Sequence, residues 1–358
     1  MKTALLMIVL ADLSNFSFAQ DGKKIKTQKI AAGKIERYFA RRENDAKFSG
    51  AVLAARNGSL IFKKGFGMAN FEFSIPNSPR TRFRIGSVTK PLTAIAVMML
   101  QEKGRLNVED GICKYLSASS CPDEWRDVKI RHLLTHTSGI PDLFGAMDAV
   151  PVEKTAEEID RVIAGIKNRQ LKARPGEVYA YSNFGYCLLG YIIEKASGKL
   201  YAELLDDYIF KPLQMNGTLY DDPRPLIKDR AEGYIRRSGQ IYNDKLTDPA
   251  GYSAGGLLSS VEDLLVLNDA LNSGRLLSRE SLDRMFTPFK NEYGFGWKIT
   301  ADKNGRVFNH TGETHGFSSH IAYYPKEKIF IVVLSNIENE DARNTASDIA
   351  GIIFDQNP

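Results

Sequence analysis

Ser87-Val88-Thr89-Lys90 leads straight into Pro91, Leu92, Ile95, Ala96, Met99 and Leu100, apolar positions spaced as on one helical face. Residues three apart share that face, so the Lys90 amine sits one turn from Ser87 and within reach of its oxygen. A serine hydroxyl attacks a carbonyl at neutral pH only when a neighbour takes its proton, and Lys90 can do this once partly desolvated. The helix also starts here, so its free N–H groups and positive dipole end face the oxygen on which charge develops. An N-cap serine followed by a solvated lysine has the same short pattern, so the motif needs company.

Two further segments supply it: Tyr181-Ser182-Asn183, and His310-Thr311-Gly312 ahead of Gly316-Phe317-Ser318. In chain order the three read S-x-x-K, Y-x-N and [KH]-T-G. With them the chain resembles the serine β-lactamase and penicillin-binding-protein-like family, in particular its class C-related branch of esterases and D-aminopeptidases. Phe83 to Gly86, Leu133 to Ile140, Gly185 to Gly190 and Ala254 to Ser259 extend the resemblance, which runs from about Gly50 to about Asn336.

The resemblance implies that Ser87 attacks the carbonyl, that Lys90 and Tyr181 pass its proton toward the leaving group, and that water cleaves the resulting acyl-enzyme. Asn183 would position the substrate amide or the Lys90 amine. The backbone N–H groups of Ser87 and Glu313, the residue after Thr311-Gly312, would hold the oxyanion. His310 would lie beside Tyr181 and tune its proton affinity. A histidine stands where many relatives carry lysine, and with a reference pKa of about 6.5 it is mostly neutral at pH 7. Lys90 is then the one fixed cation among these motifs, which favours neutral esters or amides over anionic β-lactams and peptide C-termini. D-amino-acid peptides use the same residues with a different pocket, and a non-catalytic wall-peptide binder would have no reason to keep all four of Ser87, Lys90, Tyr181 and Asn183.

The expected fold is α+β. Gly50–Ala55 and Leu60–Gly65 flank Asn57-Gly58, a strong hairpin signal. Gly294–Thr300, Phe317–Tyr324 and Lys328–Ser335 read as three more strands, while Leu188–Ala196 and Val261–Leu271 have helical periodicity. One antiparallel sheet built from both chain ends (20–85 and 287–358), flanked by helices and interrupted by a mainly helical insert (86–286), accounts for this order. Ser87 then stands at the junction, where pockets form. Pro223-Arg224-Pro225 and Arg236 to Pro249 are expected as long loops.

Two competing sites are weaker. Gly251-Tyr252-Ser253-Ala254-Gly255 matches G-x-S-x-G, but that motif needs a buried strand before it and Ile241 to Ala250 is polar. Ser253 or a neighbour instead leads into the helix whose apolar face begins at Leu264. His132 and His136 are four apart, yet Leu133 stands where a zincin needs glutamate. Neither metal nor cofactor is expected.

With 358 residues, 43% hydrophobic and 25% charged, the chain has ordinary globular composition, and a net charge of +5 without long basic blocks argues against nucleic acid. Met1-Lys2, the apolar stretch Ala4–Ala11 and the small residues of Ser17-Phe18-Ala19 read as a signal peptide (1–19) cleaved after Ala19, so a periplasmic or secreted protein with no membrane span in the mature chain is expected. In that compartment Cys113 and Cys121 can close a small loop, leaving Cys187 as a buried hydrophobe.

Overall fold

The computed structural model describes residues 27–41, 48–116, 121–143, 163, 170–244, 251–338 and 340–355. The expected signal peptide and its cleavage point lie outside the described residues. Strands β1 (Gly50–Arg56) and β2 (Ser59–Phe66) form a hairpin across Asn57-Gly58. Both turn residues have positive φ, 49° and 73°, as a two-residue turn matched to strand twist demands. Strands β3 (Lys298–Asp302), β4 (Gly305–Thr314), β5 (Phe317–Tyr324) and β6 (Ile329–Ser335) complete an antiparallel sheet of order β3-β4-β5-β6-β1-β2. Gly50 pairs with Ser335, so the two ends of the chain meet inside the sheet.

Side chains alternate between the two sheet faces. Val52, Ala54, Ile331 and Val333 pack under the helix at 27–41 (α1) with Ile35 and Phe39, and under the C-terminal helix Ala342–Phe354 with Ile349 and Ile353. Ala51, Leu53, Val332 and Leu334 face the other way into the larger core. That core is shared with helices α2 (Thr89–Glu102), α3 (Ile130–Leu134), α4 (Asn183–Ser197), α5 (Tyr252–Gly255) and α6 (Val261–Asn272). The C-terminal helix is α7 in this order. The α+β architecture with helices flanking an antiparallel sheet is the one expected.

Four local readings change. The strand expected at Gly294 begins at Lys298, and β4, which carries His310-Thr311-Gly312, was not anticipated. Its polar residues Asn309 and His310 are buried, because this part of the strand lines a cavity rather than an apolar core. Within the expected loop after Arg236, Tyr234–Arg237 and Gln240–Asn243 pair as a hairpin over Ser238-Gly239, both with positive φ. The cap of α6 is Ser260, whose side chain accepts the Asp263 N–H at 3.2 Å; Ser253 sits in α5, ahead of the strand Leu257–Ser259.

Candidate active site

Ser87 lies on the 3-10 turn Gly86–Val88, which runs directly into α2 and places Lys90 one turn on. Lys90 is fully buried, and its Nζ donates to Ser87 Oγ (2.8 Å), Asn183 Oδ1 (2.7 Å) and the Ala254 carbonyl (2.8 Å). Burial pushes its pKa from 10.5 down to about 7, partly opposed by Cys187 and Asp142. Two of the three partners can only accept. When the ammonium loses a proton, its two remaining N–H bonds stay with Asn183 and Ala254, and the lone pair falls on Ser87, the one partner able to donate. A neutral lysine aimed at a serine hydroxyl is a general base.

Tyr181 approaches the same oxygen from the other side, its phenol donating to Ser87 Oγ at 2.9 Å. It lies just before α4, where the Ser182 side chain accepts the Gly185 N–H and Asn183 is the first helical residue. The N-terminus of α4 thus delivers Asn183 to Lys90 and Tyr181 to Ser87. Desolvation raises the Tyr181 pKa above its ordinary value of 10 despite the Ser87 hydrogen bond. The phenol keeps its proton at neutral pH and serves as a donor.

His310, Thr311, Gly312 and Glu313 line up along β4. Gly86 has φ +47°, and a Cβ there would lie 2.8 Å from the Glu313 carbonyl oxygen and 2.9 Å from its nitrogen. Only glycine lets the Ser87 turn lie this close to the Glu313 backbone. The contact is pinned by Ser319 Oγ, which donates to the Ile85 carbonyl at 2.7 Å. Thr311 Oγ1 hydrogen-bonds His320 Nδ1 on β5 at 2.8 Å.

His310 is buried, and burial with the Lys90 charge nearby drives its pKa down to about 3, so the imidazole is neutral as expected. It lines the same cavity as Tyr181, while its two ring nitrogens bond to other residues. His310 Nε2 pairs with the Tyr293 hydroxyl (2.8 Å) and Nδ1 with the Thr311 carbonyl (2.8 Å). Because a carbonyl can only accept, Nδ1 carries the proton and Nε2 accepts from Tyr293. An imidazole that packs on the Tyr181 ring, with centroids 4.3 Å apart and the planes tilted by 35°, belongs to His136.

Ser87, Tyr181, His310, Thr311 and Glu313 open onto one cavity of about 350 Å³, which is also lined by Tyr179, Tyr293, Asn309, Lys298 and Arg343. Strand β3 pairs with β4 only as far as Asn309, and beyond that point His310, Thr311 and Glu313 line the cavity. Lys90 is the one amine among the motifs but not a fixed charge, since burial brings its pKa to about 7. Outside the motifs, Lys298 and Arg343 add two cations to a cavity lining that also holds the Glu313 carboxylate. Neither had a motif to mark it, since each reaches the cavity from a strand or helix end distant in sequence.

The competing sites are resolved by packing. Ser253 is fully buried and its Oγ donates to the Tyr186 carbonyl at 2.8 Å. His132 Nδ1 accepts the Lys129 N–H within α3, whereas His136 lies beyond the end of that helix with φ +56°, so the two share no helix face. Cys113 and Cys121 are disulfide-bonded, and Cys187 is buried in α4.

Residues 35–352 match the Beta-lactamase family model. The chain is 31% identical over 322 residues to penicillin-binding protein 4* of Bacillus subtilis (strain 168), covering 82% of this chain and 69% of that protein. Among solved structures it resembles an octameric penicillin-binding protein homologue from Pyrococcus abyssi, with TM-score 0.79, 32% identity, and 91% and 78% of the two chains covered. It also resembles a penicillin binding protein from Bacillus halodurans, with TM-score 0.76, 29% identity, and 86% and 97% covered. The chain belongs to the beta-lactamase family, and its fold is that of the β-lactamase/transpeptidase-like proteins.

Proposed function

We propose that this protein is an exported serine hydrolase that cleaves carboxylic ester or amide bonds through an acyl-enzyme on Ser87. The observation that carries the reading is the shared contact on one oxygen: Lys90 Nζ at 2.8 Å and the Tyr181 hydroxyl at 2.9 Å from Ser87 Oγ. Neutral Lys90 takes the serine proton as Oγ bonds to the carbonyl carbon. The oxyanion meets the Ser87 and Glu313 N–H groups. As the tetrahedral species collapses, the leaving oxygen or nitrogen departs with a proton supplied through Tyr181 and Lys90, and water then releases the acid by the reverse path. No metal or cofactor enters any step.

A second reading, hydrolysis next to the free carboxylate of a D-amino-acid peptide, is favoured by Lys298 and Arg343 on the cavity wall. A carboxylate that neutral His310 does not attract has two other cations to meet. The names of the relatives agree with a site that accepts penicillin-like acyl donors. Export rests on the leader read in residues 1–19, and an intact Met1 on cytosolic protein would overturn it.

Intact-mass measurement after exposure to a fluorophosphonate, a penicillin and an activated ester tests the chemistry. One adduct of the expected mass, mapped to Ser87, is the expected result. Labelling elsewhere, or no covalent species with any of the three, overturns it.

A further inference from the structure

Tyr181 lies in a stretch without regular structure ahead of α4, and its ring is over a third exposed. Its phenol must nevertheless sit within hydrogen-bond distance of Ser87, and rotation of a loop peptide would swing it away. The two amides that bracket Tyr181 both end on one residue. Ala180 N–H donates to the His136 carbonyl at 2.8 Å, and Ser182 N–H donates to the His136 imidazole Nδ1 at 3.1 Å. The same imidazole lies against the Tyr181 ring at 4.3 Å and touches Tyr186 at 5.0 Å and Tyr293 at 4.6 Å.

These contacts are costly to arrange. His136 is 2% exposed and takes φ +56°, a backbone region that non-glycine residues seldom occupy. With Nδ1 accepting, the proton must be on Nε2, and that atom is buried with no hydrogen-bond partner. A histidine kept only to fill space would not combine a left-handed backbone, a buried unmet donor and two bonds to a loop 45 residues away. Strain and unmet polar groups held in place by their surroundings cluster at functional sites. Burial and the Lys90 charge hold the imidazole neutral, so Nδ1 remains an acceptor across the physiological range.

We propose that His136 is the positioning residue for Tyr181: it clamps the amides on both sides of the tyrosine and braces its ring, so that the phenol meets Ser87 Oγ. This rests on the acyl-enzyme reading above. A displacement of about 1 Å at a reacting group can cost on the order of a hundredfold in rate. His136 is not among the residues lining the cavity, and its hydrogen bonds end on the two amides that flank Tyr181, so the double-mutant cycle with Tyr181 is the direct test of its role.

A double-mutant cycle on hydrolysis of a short nitrophenyl ester tests this. His136→Phe keeps a ring and loses the acceptor; in the parent protein it should lower kcat by about thirtyfold or more with KM changed less than about threefold. In a Tyr181→Phe background the same substitution should cost less than about threefold, because the group it positions is already gone. His136→Asn, which keeps a short acceptor and tolerates the left-handed backbone, should recover at least about fivefold of the lost rate. Equal losses in both backgrounds would show that His136 supports the fold at large and overturn the proposal. Should the phenylalanine variant lack a cooperative melt, the asparagine variant carries the cycle instead: its residual loss of about sixfold in the parent should vanish in the Tyr181→Phe background, and an equal loss in both overturns the proposal. Ser87→Ala, run alongside, separates the two readings. Turnover surviving there overturns the nucleophile assignment, while loss there with an additive cycle overturns only the role of His136.

Discussion

Two serine-bearing turns lie back to back in this molecule, Gly86-Ser87-Val88 and Gly251-Tyr252-Ser253-Ala254-Gly255. They are close enough that a Cβ on Gly255 would meet the Gly86 carbonyl carbon at 3.6 Å. Each precedes or forms a helical turn, and each matches a hydrolase motif. Ser87 opens onto a cavity with a desolvated amine on one side and a phenol on the other. Ser253 has no exposed surface, and its hydroxyl is committed to the Tyr186 carbonyl. A Cβ on Gly190 would sit 2.1 Å from Ser253 Oγ, so α4 closes over this serine completely. The second turn serves the first: the Ala254 carbonyl holds Lys90, and the Ser253 carbonyl accepts from Thr93 of α2 at 2.6 Å. A nucleophile is made by an open side and a base: the Ser87 motif brings its base with it, the Ser253 motif brings neither.

The sharpest way to break this contrast is to remove each hydroxyl in turn. Ser87→Ala should abolish covalent labelling and lower ester turnover by on the order of a thousandfold or more. Ser253→Ala should keep kcat within about threefold while losing about 1 kcal/mol of stability in a denaturant melt, because a buried hydrogen bond is lost. A dead Ser253→Ala that still melts cooperatively would reverse the assignment.

The base gives the next largest effect. With Lys90 titrating near 7 and Tyr181 pushed up out of range, kcat/KM should rise about tenfold between pH 6 and 8 along a one-proton curve. A profile flat through pH 7 would deny the amine its role. The same shift has a stability signature. Between pH 7 and 10.5 the unfolded chain still holds the lysine proton that the folded state has released, so stability contributed by this group rises with pH over that window. Lys90→Met should remove the slope, which urea melts at pH 6.5 and 9.5 would reveal, and should stabilise the protein most at the lower pH.

The smallest effect concerns the two cations that line the cavity with Ser87. Arg343→Gln should raise KM for a D-peptide with a free C-terminal carboxylate about fivefold, near 1 kcal/mol for one partly screened charge, with the nitrophenyl ester unaffected. Equal changes for both substrates would mean that Arg343 shapes the cavity without selecting charge.

Legibility in the sequence followed the range of the interaction. The Ser87–Lys90 pair could be read because a helix fixes residues three apart, and the first hairpin because Asn57-Gly58 sets its own turn. Strand β4 escaped notice because its buried side chains include Asn309 and His310, which carry no strand pattern. The bond between His310 and Tyr293 and the packing of His136 on Tyr181 join segments of different elements, so no local spacing records them. His310 is neutral as its residue type implies, but its hydrogen-bond partner Tyr293 is not legible in the sequence for that reason.

The chain by itself determined which residues are able to react: a serine with a lysine one turn on, a tyrosine and asparagine at a helix start, and a histidine in place of a second lysine. These are matters of residue type and short spacing, and the backbone geometry of a single helix enforces them. Tertiary structure decided the protonation states and the company. Burying Lys90 against Asn183 and Ala254 brings an amine that is charged in water to near neutrality, and desolvation holds the Tyr181 proton in place. Folding the start of β3 against β4, and α7 over the sheet, brings Lys298 and Arg343 into a cavity that His310 leaves uncharged. Desolvation and long-range juxtaposition depend on every element packed around a group, and a linear pattern contains neither.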